Sequence, residues 1–267
     1  MRHLIRLLAF ATCALPVTAV AETFDNVARL DVLPGWRTPS GTHMAGLRVT
    51  LAPGWKTYWR APGDAGIPPQ FSWAGSDNIA AATFHWPTPE VISQNDLSAI
   101  GYHDGVVLPL EIQPAEPGKP VTLAGEVVIG VCEEVCVPVT LSFNSALPPE
   151  GRRDGAITAA LLNQPMPAGE AGVRGATCTV VPHGDGLALT ATVDMPEIAG
   201  GETVVIETGD PQVWVSPADV TRAGDSLRAT VDMVHVTAGS FALDRSAVRI
   251  TVLGGEMAVD IQGCTGG

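Results

Sequence analysis

Short runs in which apolar and polar residues alternate recur along the chain, and clusters of glycine and proline separate them. Residues 45–51 (AGLRVTL), 106–112 (VVLPLEI) and 121–129 (VTLAGEVVI) show the pattern in the first half, and residues 187–193 (LALTATV) and 248–252 (VRITV) show it in the second. A period of two places alternate side chains on one face of a β-strand. Short strands with frequent turns are typical of β-sandwiches and not of β–α–β units. The pattern therefore predicts an all-β chain.

Residues 149–170 interrupt this pattern and divide the chain into two strand-rich blocks. Prolines and a glycine end the first block, Asp154 can cap a helix, and Pro165 follows the end of that helix. We therefore predict two β-sandwich domains, residues 22–148 and 171–267, joined by a short helix and linker.

The first 21 residues have the three-part layout of a secretory signal peptide. A basic start precedes an apolar run over residues 7–14, and an Ala-Val-Ala cleavage motif ends at Ala21. A membrane anchor would need roughly 20 consecutive apolar residues, and Pro16 interrupts this run. The sequence therefore predicts export, with cleavage after Ala21.

The net negative charge of the chain limits the kinds of molecule that it can bind. Acidic residues outnumber basic ones by 28 to 15, and lysine is almost absent. Such a balance argues against nucleic acid and anionic membrane surfaces as partners. No segment after the predicted leader is long and apolar enough for a transmembrane helix, so we expect no direct membrane insertion.

The cysteines predict two disulfides. Cleavage would remove Cys13 and leave four cysteines, an even number in an oxidising compartment. Three pairings are possible, and the spacing favours Cys132 with Cys136 and Cys178 with Cys264. The second bridge would close nearly the whole second block, so we interpret it as structural.

The segment GVCEEVCVPV (residues 130–139) places two cysteines four residues apart. Four extended residues span about 13 Å, beyond the roughly 4.4–6.8 Å Cα separation that a disulfide tolerates. The β-branched flanks and Pro138 argue against a helix. The remaining arrangement is a strand, a three-residue loop and a second strand, with the two sulfurs facing each other.

A disulfide in so short a loop removes little entropy from the unfolded chain, and its exposed position favours reduction. Redox activity is therefore our interpretation, with a structural bridge as the alternative. Glu133 and Glu134 should raise the pKa of the cysteine thiols, and no lysine or arginine lies within several residues along the chain. We expect the oxidised pair to be attacked by a partner's thiolate and to pass electrons on through mixed disulfides.

Four motifs together resemble the periplasmic N-terminal region of the DsbD/ScsB thiol:disulfide interchange family. They are residues 54–68 (GWKTYWRAPGDAGIP), 86–87 (WP), 101–102 (GY) and 131–138 (VCEEVCVP). The resemblance is strong over residues 36–147 and looser in the second block. It implies immunoglobulin-like β-sandwich folds, a periplasmic location, and Cys132 and Cys136 as the pair that carries electrons.

In that family the pair takes electrons from a membrane domain and delivers them to periplasmic thioredoxin-fold proteins. This sequence contains neither a transmembrane domain nor a C-terminal thioredoxin domain. The resemblance therefore implies thioredoxin-fold partners and a separately encoded membrane electron donor, and it leaves the direction of electron flow open. We expect no cofactor and no metal. The alternatives are a non-catalytic periplasmic adaptor with structural disulfides, or a copper-handling protein that uses Cys132, Cys136 and His103.

Eight residues in or beside these motifs are candidate supporting residues: Tyr58, Trp59, Arg60, Asp64, Tyr102, His103, Glu133 and Glu134. Tyr102 is the best candidate for a cap that shields the disulfide, and His103 is a candidate proton shuttle. Arg60 and Asp64 are expected to pair across the turn between them. The alternative for the aromatic members is packing in the sandwich core.

Overall fold

A computed structural model describes residues 26–63, 66–94, 97–237 and 241–267, and the predicted signal peptide lies outside these ranges. The described residues form twenty strands and one short helix, so the predicted all-β class is confirmed. No helix in the described ranges is long and apolar enough to cross a bilayer.

The first sandwich contains ten strands. They are β1 (Ala28–Arg37), β2 (His43–Leu51), β3 (Lys56–Tyr58), β4 (Gln70–Ser72), β5 (Ile79–Phe84), β6 (Glu90–Gln94), β7 (Leu97–His103), β8 (Gly105–Pro114), β9 (Val121–Cys132) and β10 (Cys136–Leu147). One sheet has the order β1-β2-β8-β5, and the other has the order β10-β9-β3-β7-β6, with β4 also paired to β9. The period-two pattern fills the space between the sheets, where Leu47, Leu110 and Leu123 are fully buried.

Helix α1 (Gly155–Leu162) follows the first sandwich and packs against it. The Asp154 carboxylate accepts hydrogen bonds from the backbone N–H groups of Ala156 (2.8 Å) and Ile157 (3.2 Å), as an N-cap residue does. The Ile157 side chain is fully buried among residues of β1 and β2, including Trp36 and Met44. The helix that joins the two blocks is therefore fixed on the first of them.

The second sandwich contains the remaining ten strands. They are β11 (Met166–Pro167), β12 (Gly175–His183), β13 (Gly186–Asp194), β14 (Thr203–Glu207), β15 (Val213–Val215), β16 (Asp219–Ala223), β17 (Ser226–His235), β18 (Arg249–Gly254), β19 (Met257–Gln262) and β20 (Thr265–Gly266). One sheet has the order β11-β19-β18-β14, and the other has the order β15-β17-β13-β12-β20, with β16 also paired to β17. A disulfide joins Cys178 on β12 to Cys264 just before β20, with 5.7 Å between their Cα atoms. It closes almost the whole second sandwich into one loop.

The two sandwiches share a buried contact next to β3. Trp59 is fully buried and belongs to one apolar cluster with Leu253 and Ala258 of the second sandwich. The neighbouring Arg60 guanidinium donates two hydrogen bonds, of 3.1 Å and 2.9 Å, to the Glu207 carboxylate on β14. The end of β3 is therefore held by both halves of the molecule.

Candidate redox site

The candidate site lies at the tip of the β9–β10 hairpin. The long ladder of β-branched and apolar residues pairs the two strands from end to end, so that Cys132 and Cys136 are direct Cα partners. Their Cα atoms lie 4.1 Å apart, and their sulfurs form a disulfide across a turn made of residues 133–135. The geometry is the strand, loop and strand that the spacing and the flanking residues predict.

The two cysteines of this disulfide differ in their exposure to solvent. Cys132 is fully buried in a small cluster with Tyr58, Ala99 and Ile67. Cys136 is exposed, and next to it Val135 presents 65% of its surface to solvent at the tip of the turn. A partner's thiolate can therefore reach Cys136 but not Cys132.

Tyr58 on β3 covers the disulfide. Its hydroxyl donates a hydrogen bond to Cys136 Sγ at 3.0 Å, and burial raises the pKa of the phenol, which keeps the donor protonated. The ring lies against the backbone of Gly130, where an added Cβ would be 2.7 Å from both Tyr58 Cδ2 and Ile67 Cβ. Glycine at this position allows the ring to approach the strand that carries the buried cysteine.

Tyr102, the residue expected to shield the disulfide, lies on the opposite face of the same sheet. It pairs with Thr57, one residue before Tyr58, and adjacent residues on a strand point to opposite faces. Its hydroxyl donates to the backbone oxygen of Pro87 at 2.9 Å, and burial raises the pKa of this phenol well above its ordinary value. The structure places Tyr58 and not Tyr102 at the sulfur.

Trp59 and Arg60 lie at the contact between the sandwiches and not at the disulfide. The Arg60 guanidinium carbon is 3.8 Å from the centroid of the Trp59 ring. Burial lowers the pKa of Arg60, and the Glu207 carboxylate acts in the opposite direction. Asp64, the partner expected for this arginine, lies outside the described residues, so that pairing stays a prediction.

His103 lies on the same face as the disulfide, at the end of β7. Its Nδ1 atom is 2.8 Å from a carboxylate oxygen of Glu90 on the neighbouring strand β6, and both side chains are well exposed. Glu133 and Glu134 lie in the exposed turn. A Cβ added at Gly54 would lie 3.3 Å from a Glu133 carboxylate oxygen, so this side chain reaches toward the β2–β3 turn. The turn beside Cys136 therefore carries two exposed acidic residues.

Lys56 is a residue at the site that sequence reasoning missed. It is the direct Cα partner of Cys132 on β9 and of His103 on β7, in the middle of the three strands. The signal was present, because Lys56 lies two residues before Tyr58 and a period of two places both on one face. The sequence did not show the register between β3 and β9, which places Lys56 opposite the buried Cys132.

The site offers sulfur chemistry. In the described ranges no three His, Cys, Asp or Glu side chains come close enough together to hold a metal ion. The chemistry available to the described groups is cleavage and re-formation of the Cys132–Cys136 bond, with one accessible sulfur and one buried sulfur.

Comparison with protein families decides the class of the first sandwich. The family model described as thiol:disulfide interchange protein DsbD, N-terminal, matches residues 28–148, which include the complete β9–β10 hairpin. The first sandwich belongs to the DsbD N-terminal family. This confirms the resemblance that the four motifs indicate.

Comparison with solved structures extends the likeness to both sandwiches. The N-terminal periplasmic domain of ScsB from Proteus mirabilis is 22% identical to this chain, with a TM-score of 0.68. The match covers 92% of this chain and 96% of the ScsB chain. At this identity the likeness shows the fold alone, and it confirms the predicted architecture of two immunoglobulin-like sandwiches. A search of curated proteins found no significant match.

Proposed function

We propose that this protein is a periplasmic thiol–disulfide interchange protein that relays electrons through Cys132 and Cys136, to or from partner proteins. The observation that carries the proposal is the disulfide with one exposed and one buried sulfur, at the hairpin tip of a DsbD N-terminal domain. Loop entropy supports the same function, because a bridge across four residues stabilises the fold by only about 2 kcal/mol, about half of what the bridge across 86 residues contributes.

The first chemical step is attack by a partner's thiolate on Cys136 Sγ, the accessible sulfur. A bond forms between the partner's sulfur and Cys136, the Cys132–Cys136 bond breaks, and Cys132 leaves as a thiolate. The partner's second thiol then loses its proton and attacks the mixed disulfide. The partner leaves with a disulfide, and the domain keeps two electrons as a dithiol.

The reverse sequence delivers those electrons. The Cys136 thiolate attacks the disulfide of a second partner, and Cys132 then resolves the mixed disulfide from within the domain. Tyr58 fits both directions, because its hydroxyl donates to Cys136 Sγ and can stabilise negative charge that develops on that sulfur. Both partners can therefore react at the same sulfur, that of Cys136.

The exposed turn supports thioredoxin-fold partners. Such proteins present an accessible reactive cysteine, and the projecting Val135 gives them an apolar contact beside Cys136. A separately encoded membrane protein is the proposed source of reductant. The likeness to a periplasmic ScsB domain supports the periplasmic location.

Trapping of a mixed disulfide tests the proposal. The probe is a periplasmic thioredoxin-fold protein that lacks its resolving cysteine and whose remaining cysteine is first converted to a mixed disulfide with 5-thio-2-nitrobenzoate. It is mixed with either the Cys132→Ser or the Cys136→Ser variant, whose free thiol attacks the probe's sulfur and releases the nitrobenzoate thiolate. We expect a covalent complex, dissolved by dithiothreitol, with Cys132→Ser, because that variant keeps the exposed thiol. Cys136→Ser is the matched control and should yield little complex. Absence of a complex with both variants would overturn the proposal and favour the adaptor.

A further inference from the structure

The buried cysteine has to carry a negative charge each time the disulfide opens. Attack on Cys136 expels Cys132 as a thiolate, inside a cluster formed by Tyr58, Ala99 and Ile67. Burial among apolar groups disfavours a thiolate. A positive charge beside Cys132 would offset this effect and speed the departure of this sulfur.

Lys56 is positioned to supply that charge. It is the direct antiparallel partner of Cys132, and such partners place their Cβ atoms about 4.5–5.5 Å apart on the same face of a sheet. Its side chain is half-buried.

The composition of the chain makes this placement specific. The sequence contains two lysines, Lys56 and Lys119. Lys119 lies in an exposed turn, where its Nζ atom is 2.6 Å from the Glu116 carboxylate. One lysine therefore has an acidic partner on the surface, and the other lies opposite Cys132 on the neighbouring strand.

The other charged groups on this face are already engaged or point elsewhere. On the far side of Lys56, His103 on β7 contacts the Glu90 carboxylate on β6. Glu133 reaches toward Gly54, and Tyr58 stays protonated over Cys136. Lys56 is thus the cationic group nearest in register to the buried cysteine.

We propose that Lys56 stabilises the thiolate of Cys132 and so makes this cysteine the better leaving group in the interchange. The inference rests on the proposed function and adds the residue that sets its rate. Lys56 also supplies what the sequence around the two cysteines lacks, a positive charge that comes from a distant strand.

The first test titrates the Cys132 thiol alone. In the Cys136→Ser background, the thiolate absorbance near 240 nm is followed across pH, with Lys56→Gln, Lys56→Arg and Lys119→Gln added in turn. An opposite charge within a few ångströms shifts a titration by about one pH unit or more. We expect Lys56→Gln to move thiolate formation upward by about that amount, while the other two substitutions leave it near the parent value.

The second test measures how fast dithiothreitol opens the Cys132–Cys136 disulfide of the oxidised protein. A poorer leaving thiolate leaves more slowly, so Lys56→Gln should reduce the rate about threefold or more, and Lys56→Arg should restore it. A merely structural role would not move the titration and would show in circular dichroism. An unchanged titration and rate in Lys56→Gln, or an equal effect of Lys119→Gln, would overturn the inference. Trapping with Cys132→Ser would still succeed in that case, which separates this failure from failure of the proposed function.

Discussion

The two disulfides should contribute very differently to stability. The perturbation is the double replacement Cys178→Ala with Cys264→Ala, compared with Cys132→Ala plus Cys136→Ala. Alanine is preferred to serine because Cys178 is fully buried in the core of the second sandwich, where a hydroxyl without a partner would add its own cost.

The magnitudes follow from the lengths of the two loops. The bridge in the second sandwich spans a sequence separation of 86 and the bridge in the hairpin spans 4. On the chain-entropy model, closing the long loop stabilises the fold by about 4–5 kcal/mol and closing the short loop by about 2 kcal/mol. Loss of the hairpin bridge should therefore cost about half as much as loss of the other.

The assay is urea denaturation followed by far-ultraviolet circular dichroism, with the free energy of unfolding obtained by linear extrapolation. We expect the variant without the Cys178–Cys264 bridge to unfold at clearly lower urea, and the variant without the Cys132–Cys136 bridge to stay closer to wild type. Equal losses, or a larger loss for the hairpin bridge, would refute the division into one structural and one redox disulfide.

Three further predictions concern the surroundings of the site and the core. Gly130→Ala should displace the Tyr58 ring that covers the disulfide, because the added Cβ would lie 2.7 Å from that ring. In the reduced protein, the buried Cys132 thiol should then be alkylated faster. Gly175→Ala, which adds a Cβ in open space, should have no effect. Glu207→Gln should lower the free energy of unfolding by about 2 kcal/mol, because it leaves the half-buried Arg60 guanidinium without its charged acceptor; no loss in urea denaturation would contradict this. Burial lowers the pKa of His43, so its contribution to stability is complete above about pH 6.5 and declines as the pH falls below that value. His43→Gln should therefore flatten this part of the stability–pH curve. An unchanged curve would show that another group is responsible.

Local patterns predicted most of the fold. Period-two alternation placed strands at residues 45–51, 121–129 and 187–193, because a half-buried strand needs apolar residues on one face only. The Asp154 cap marked the start of the helix for an equally local reason. The hairpin at the cysteines also followed from adjacent residues, since its loop, its flanks and its bridge lie within one short segment.

The rest of the site depends on register between strands that are distant in sequence. Tyr58 and Tyr102 look equivalent in the sequence, yet pairing with Thr57 places Tyr102 on the far face of the sheet. Lys56 meets Cys132 only because β3 pairs with the end of β9. A register shift of one residue would move each of these side chains to the opposite face of the sheet. No local sequence pattern fixes the register between these distant strands.

The contact between the sandwiches was hidden for a similar reason. Trp59 and Arg60 lie in the same motif as Tyr58, and the expectation was a role within the first sandwich. Their partners, Glu207 and Leu253, belong to strands of the second sandwich. Packing between two distant blocks leaves no periodic signal in either of them.

The central claim is that Cys132–Cys136 is a redox pair and Cys178–Cys264 is a structural bridge. The most direct test equilibrates the protein in glutathione buffers of graded potential, quenches with an alkylating agent, and measures each bridge by mass spectrometry. We expect Cys132 and Cys136 to become alkylated at potentials where Cys178 and Cys264 stay bonded. Equal resistance of both bridges to reduction would contradict it.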